Sequence, residues 1–269
     1  MPFESLELLV LLFAVAGVAG FVDSIAGGGG LLAIPSLFMA GLPPQAVLAT
    51  AKLQATFGSF SASLAFVRAG AVDLRALMPA IVATFIGSTI GALVISVLDP
   101  ALLRDLIPLL LIAIAVYMLL SPRLGEIDAR QRVAFLPFSI GAGLVLGFYD
   151  GFFGPGTGSF WAIAFVVLLG FNLGRATAHT KVVNFTSNLA ALLVLGLGGH
   201  VWWTVGLVMA AGQFLGAQLG ARLVMSKGTR IVKPMLVTMS LLITARIIHA
   251  DVDNPLRVAA QRLWGLMVG

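Results

Sequence analysis

The strongest constraint on the fold of this chain is that it repeats itself. Gly20-Phe21-Val22-Asp23 recurs as Gly147-Phe148-Tyr149-Asp150. The glycine cluster Gly27-Gly28-Gly29-Gly30 matches Gly154-Pro155-Gly156-Thr157, and Ala49-Thr50-Ala51-Lys52 matches Ala178-His179-Thr180-Lys181. Further on, Gly87-x-x-x-Gly91-Ala92 matches Gly216-x-x-x-Gly220-Ala221. Four landmarks in one order, at nearly constant offset, mark an internal duplication. Unrelated apolar helices would not share an Asp, a glycine cluster and a Lys in register.

Each copy reads as the same series. An apolar helix ends at the Asp, a glycine-rich break follows, and then a short apolar piece (31–40; 159–170). Three longer helices complete it, over 44–67, 74–98 and 102–120, then 173–197, 201–224 and 230–249. The expected division is a first repeat at 1–125, a second at 126–250, and an interfacial tail at 251–269 anchored by Trp264. The short pieces fall below the ~20 residues needed to span a bilayer, so they are tilted spans or halves of re-entrant hairpins. Broken backbone at membrane depth survives only inside protein or beside a watery cavity.

The solvent for these helices is lipid. The chain is 59% hydrophobic and only 10% charged, with a mean hydropathy of +1.06, whereas soluble domains carry roughly 25% charged residues. The fold class is therefore all-α and polytopic, with about 8–10 transmembrane or re-entrant helices. The first apolar run is not expected to be a cleaved signal, because Glu4 and Glu7 precede it and no Lys or Arg does. The net charge of +5 does not indicate nucleic acid, since the basic residues lie in short loops. Arg68 and Arg75, then Arg123, Arg130 and Arg132, then Arg175, then Lys227, Arg230 and Lys233 share one side. That side is expected to be cytoplasmic. The second copy then starts from the side opposite the first, and the two repeats are inverted, a common plan for secondary transporters. No cysteine is present, which excludes disulfides, thiolate metal sites and thiol nucleophiles. No metal or other cofactor is expected, and no Ser-His-Asp or paired-acid arrangement suggests an enzyme.

Lys52 and Lys181 hold equivalent places in the two copies, each about eight residues into its helix and so near the midplane. An ionisable residue at that depth marks a substrate or ion site. Thr56 shares the Lys52 stripe, Asn184 and Asn188 share that of Lys181, and Gln54 lies close by. Two ammonium groups with amides and hydroxyls suit a small anion. The glycine-rich breaks, at Gly28, Gly29, Gly156 and Thr157, would add backbone N–H groups at helix N-termini. Snorkelling lysines and small polar residues that only pack helices are the alternative. Asp23 and Asp150 are candidates for proton or cation coupling, against a structural role bonding backbone N–H groups at the breaks. His179, beside Lys181 but without a counterpart in the first copy, is a third coupling candidate. The glycine ridges at 83–91 and 212–220 are helix contacts, serving either intramolecular packing or a homodimer.

Asp23-Ser24-Ile25-Ala26-Gly27-Gly28-Gly29-Gly30-Leu31-Leu32, Lys52-Leu53-Gln54 and Gly147-Phe148-Tyr149-Asp150-Gly151-Phe152-Phe153-Gly154-Pro155-Gly156 strongly resemble the sulfite exporter TauE/SafE family. The likeness is strongest to its YfcA-like branch of bacterial inner-membrane transporters. Ala178-His179-Thr180-Lys181 and Gly212-Gln213-Phe214-Leu215-Gly216-Ala217 fit as well, so the resemblance spans nearly the whole chain before about Asp251. It implies export of sulfur-containing anions such as sulfite or organosulfonates. Members often carry Asn just before the first lysine; here Ala51 removes that polar contact. The expected function is a secondary transporter of small anions working by alternating access, with a passive anion channel at the same site as the alternative.

Overall fold

The structure, a computed structural model, describes residues 5–120 and 130–227. Among these it contains α-helices and no strand: α1 Leu6–Ala26, α2 Gly30–Met39, α3 Pro44–Arg68, α4 Leu74–Ser96, α5 Pro100–Leu120, α6 Phe135–Phe152, α7 Thr157–Leu169, α8 Leu173–Leu197 and α9 Trp203–Lys227. The expected helix at 230–249, the tail at 251–269 and Arg123 lie outside the described residues.

Local chemistry sets the ends. Asp73 starts α4 by accepting from the N–H groups of Arg75 and Ala76, and Asn172 starts α8 by accepting from that of Arg175. Pro44 opens α3, where its missing N–H costs nothing. Gly27 ends α1 in the left-handed region (φ 78°), its N–H bonded to the Asp23 carbonyl. The expectation that each first helix stops at its Asp needs correction. The helices run on to Ala26 and Phe152, so Asp23 and Asp150 sit within the last turn, where the helix's own N–H groups run out.

Among the described residues, five helices are long and apolar enough to cross a membrane: 6–25, 74–96, 135–152, 173–197 and 203–226. Large apolar side chains on them stand exposed, among them Leu11, Ile90, Val145, Leu193 and Leu219, as a lipid-facing surface requires. The inside of the bundle is where the polar groups collect. Lys52, Gln54, Asp150, Lys181, Asn184 and Gln213 are all buried.

The tightest helix pairs join opposite halves: α1 lies on α9, and α4 on α6. Glycines let the backbones touch. A Cβ at Gly212, Gly216 or Gly220 would overlap the α1 backbone or Ser24, and one at Gly91 or Gly151 would overlap the opposing backbone of α6 or α4. The ridges are thus consumed by packing within the chain. Positions 212, 216 and 220 meet 13, 17 and 21 in ascending order, so α1 and α9 run parallel, and the α4 and α6 contacts ascend in the same way. Along α3, partners on α9 and just ahead of it also ascend, from Thr50 with Trp202 to Ser61 with Phe214. On α8 they descend, from Lys52 with Asn188 to Phe60 with Phe185. This two-fold pattern is consistent with inverted repeats.

The glycine-rich unit of the second half is a hairpin that returns to its side of entry. The N–H groups of Arg132 and Val133, just ahead of α6, both bond the Leu168 carbonyl at the end of α7. Its tip, Phe153 to Gly156, lies inside the bundle. The tip of α1–α2 meets it back to back. A Cβ on Gly27 would lie 2.7 Å from the backbone of Gly158 and Ser159, and one on Gly158 would lie 2.7 Å from Gly27.

Candidate functional site

Where the two tips meet, each lysine reaches across to the aspartate of the opposite half. Lys52 Nζ lies 2.7 Å from Asp150 Oδ1, with side chains 6% and 3% exposed. The same ammonium donates to the Asp150 backbone carbonyl and, at 3.2 Å, to Asn188 Oδ1. The other carboxylate oxygen accepts from the Ser187 hydroxyl. In the second pair, Lys181 Nζ donates to the Asp23 carbonyl and lies 3.5 Å from Asp23 Oδ2. Here the Asp side chain is 20% exposed, and its Oδ1 accepts from the Gly29 N–H at 3.2 Å. Each lysine therefore caps the C-terminus of the other half's broken helix, where backbone carbonyls and the helix dipole both favour a cation.

The pairs are not equal. Lys52–Asp150 is closed, short and supported by Ser187 and Asn188 from α8, while Lys181–Asp23 is longer and more open. A glycine admits the tighter pair. A Cβ at Gly154 would lie 2.6 Å from Lys52 Nζ and 2.9 Å from Asp150 Oδ1, and its φ of +106° disfavours a side chain in any case.

A cavity of about 50 Å³ opens between the tips and helices α3, α8 and α9. At roughly 10–15 Å³ per water that is room for a few waters, or for one small oxyanion. Its lining includes Lys52, Gln54, Asp23, Asp150, Asn184 and Asn188, with Gly156, Thr157 and Gly158 at the start of α7. The structure thus brings together most of the residues singled out by sequence, and separates others. Lys181 does not line the cavity but is buried directly behind Asp23. Thr56 turns its hydroxyl back to the Lys52 carbonyl at 2.7 Å. Gly28 and Gly29 stand off the lining, which Gly27 and Gly30 provide instead, and the Gly29 N–H is taken by Asp23. His179 points away from the cavity. Its Nδ1 is 2.8 Å from the Arg175 carbonyl, and its ring packs against Phe165 and Phe171. Among the described residues no group of His, Asp and Glu has the geometry to hold a metal ion.

Sequence alone does not single out Gln213, which lines the same cavity from α9 and is 2% exposed. Its position inside the Gly212–Gly216–Gly220 ridge reads as helix packing. The available signal is an uncharged but strongly polar amide in the middle of an apolar helix.

A family model described as "Sulfite exporter TauE/SafE" matches residues 12–247. A "Probable membrane transporter protein" of Haemophilus influenzae is 50% identical over 244 residues, covering 91% of this chain and 96% of the relative. The "Probable membrane transporter protein YfcA" of Escherichia coli K12 is 52% identical over 242 residues, covering 90% of each. A more distant relative, "Probable membrane transporter protein YunE" of Bacillus subtilis, is 25% identical over 268 residues. No solved structure matches the chain.

Proposed function

The chain belongs to the sulfite exporter TauE/SafE family of membrane transporters, and from that premise we propose that it carries small sulfur-containing monoanions, such as sulfite species or short sulfonates, across the bacterial inner membrane by alternating access. The observation that carries this is the pair of cross-half lysine–aspartate bridges beside one small polar cavity at the meeting of two broken helices. In the state seen here the carboxylates occupy the ammonium groups. An incoming anion takes the place of a carboxylate at a lysine, with Asn188, Asn184 and Gln54 orienting it and the N-terminus of α7 facing it.

An isolated charge buried in low dielectric is costly. The displaced aspartate therefore takes up a proton, and the loaded site stays neutral. For an anion at Lys52, the lysine that lines the cavity, the displaced carboxylate is that of Asp150, which is then the coupling residue, while Asp23 stays with Lys181. Such a carrier is electroneutral, so net flux is outward when the anion's outward gradient exceeds the inward proton gradient. Both ammonium groups are engaged, which favours a carrier over an open pore lined by free charge. The moving bodies are not the two sequence repeats. α1 is locked to α9 and α4 to α6 by backbone contact, so each rigid body draws helices from both halves and the α3–α8 contact is the seam between them.

The test is uptake of labelled sulfite and a sulfonate panel into proteoliposomes with and without a pH gradient. Saturable uptake that rises with acid outside and disappears in Lys52→Ala is expected. Uptake by a correctly inserted Lys52→Ala protein at the wild-type rate would remove the site from the mechanism.

A further inference from the structure

Ser187 does not line the cavity, and the carrier scheme above gives it no part. It is fully buried on α8, and its hydroxyl donates to Asp150 Oδ2, the carboxylate oxygen that Lys52 does not take. The same hydroxyl has two further acceptors on its own helix, the carbonyls of Asn184 at 3.1 Å and Val183 at 3.2 Å. Helix α4 fixes this turn of α8 from the other side. Ser88, also fully buried, donates its hydroxyl to the Ser187 carbonyl at 2.6 Å. It also lies against α6 beside Asp150, since a Cβ on Gly151 would lie 2.7 Å from Ser88 Cα. One serine of α4 thus places both the hydroxyl and the carboxylate that it meets.

The other bridge is built without this hydroxyl. Six residues beyond Lys181 stands Ser187, and six beyond Lys52 stands Gly58, which has no side chain. One place further on, Asn188, which accepts from Lys52, corresponds to Ser59, which bonds the Ala55 carbonyl of its own helix at 2.6 Å. Ser88 corresponds to Ala217. Asp23 takes the backbone N–H of Gly29 at 3.2 Å, where Asp150 takes a hydroxyl. Lys, Asp and the glycine breaks recur in both copies, but the hydroxyl serves only the aspartate that sits on the cavity lysine.

The carboxylate and the incoming anion compete for one ammonium group. In the state seen here Asp150 holds the place at Lys52 that the anion needs. A hydrogen bond to a carboxylate is charge-assisted and belongs to the stronger kind, so Ser187 weights the competition toward the internal carboxylate. When Asp150 leaves, the hydroxyl is not stranded. It turns to the Asn184 or Val183 carbonyl, a bond that serines on helices readily make. The net penalty on displacement is the difference between a charge-assisted bond and a neutral one, about a factor of ten in the equilibrium.

We propose that Ser187, braced by Ser88, is a positioning residue that holds Asp150 on Lys52 as a built-in competitor and thereby sets how tightly the transported anion binds. This rests on the anion-carrier reading above. The hydroxyl touches no substrate and acts through the carboxylate.

The experiment measures KM for labelled sulfite in proteoliposomes at one pH on both sides. Removing the hydroxyl should tighten binding, so KM is expected to fall about tenfold in Ser187→Ala. Cysteine keeps the volume and is a weak donor, so Ser187→Cys should lie between that value and the wild type; it serves if the Ala variant fails to insert. In an Asp150→Asn background, where no carboxylate competes, Ser187→Ala should leave KM within about twofold. Lost packing raises KM or lowers the maximal rate but does not tighten binding, and KM does not depend on how much protein inserts. A KM unchanged or raised in the Ala and Cys variants would overturn the proposal. So would inserted variants that take up no sulfite, or an equal fall in the Asp150→Asn background. In each case the anion carrier would still stand. Failure of the wild type to take up sulfite saturably would overturn the carrier reading and this inference together.

Discussion

Removing the Lys52 ammonium while Asp150 stays in place should unsettle the whole protein, and the structure sets the size of the effect. The pair is 2.7 Å apart with both side chains almost fully buried. Lys52→Met keeps the volume but leaves the Asp150 carboxylate with the Ser187 hydroxyl as its remaining side-chain donor, and it uncaps the α6 carbonyl. Breaking a buried pair on one side costs about 3–5 kcal/mol, because the surviving charge is uncompensated. At roughly 2–4 °C per kcal/mol for a chain of this size, the melting temperature should fall by roughly 10 °C. Removing the orphan charge as well, in Lys52→Met/Asp150→Asn, should return most of that loss. Thermal melting followed by tryptophan fluorescence in detergent reads both numbers. Transport should be absent in the single and the double variant alike, which separates the site's role from its stability. A single variant that melts within 2 °C of the wild type, or a double variant no more stable than the single, would refute the claim that charge compensation holds this tip in place.

Other outcomes follow from the same geometry. Lys181→Met should cost less, roughly half as much, because its partner lies at 3.5 Å and is partly exposed; the same melting assay ranks the two lysines. Asp150→Asn should retain saturable anion uptake but lose its response to an acid-outside gradient, since the amide cannot take up the proton, and flux measured with and without the gradient checks this. Gly154→Ala should abolish transport and lower the melting temperature, as the added methyl group would press on the Lys52–Asp150 bridge. His179→Phe should leave the pH response of transport unchanged, because the imidazole packs among aromatic rings away from the cavity.

Much of the architecture is legible in the sequence because it is local. The apolar runs and the glycine breaks place α3, α4 and α8 within two residues of their observed ends, which the structure shows to be set by Pro44, Asp73 and Asn172. The depth of Lys52 and Lys181 follows from counting along a helix. What they touch does not. The Lys52–Asp150 and Lys181–Asp23 bridges join residues 98 and 158 positions apart, and only the crossed packing of the halves shows that a lysine of one copy serves the aspartate of the other. Asp23 and Asp150 consequently read as coupling groups or as caps, whereas each is also the partner of a lysine. Gln213 stays hidden for a different reason. Its neighbours in sequence are the ridge glycines, and the space that seats it is made by Gly20 and Gly58 on two other helices.

The crossed pairing of α1 with α9 and α4 with α6 also dictates when the protein can become itself during synthesis. α1 emerges from the ribosome well before its glycine-matched partner, which is encoded some two hundred residues later. Until α9 arrives, the face of α1 that will touch it is covered by nothing but lipid or by whatever escorts nascent helices, and Asp23 has no lysine until α8 is made. α4 waits a shorter time for α6. Truncated chains ending before α8 should therefore insert but remain open to proteolysis, and the two halves expressed as separate polypeptides should each be degraded alone and rescued together.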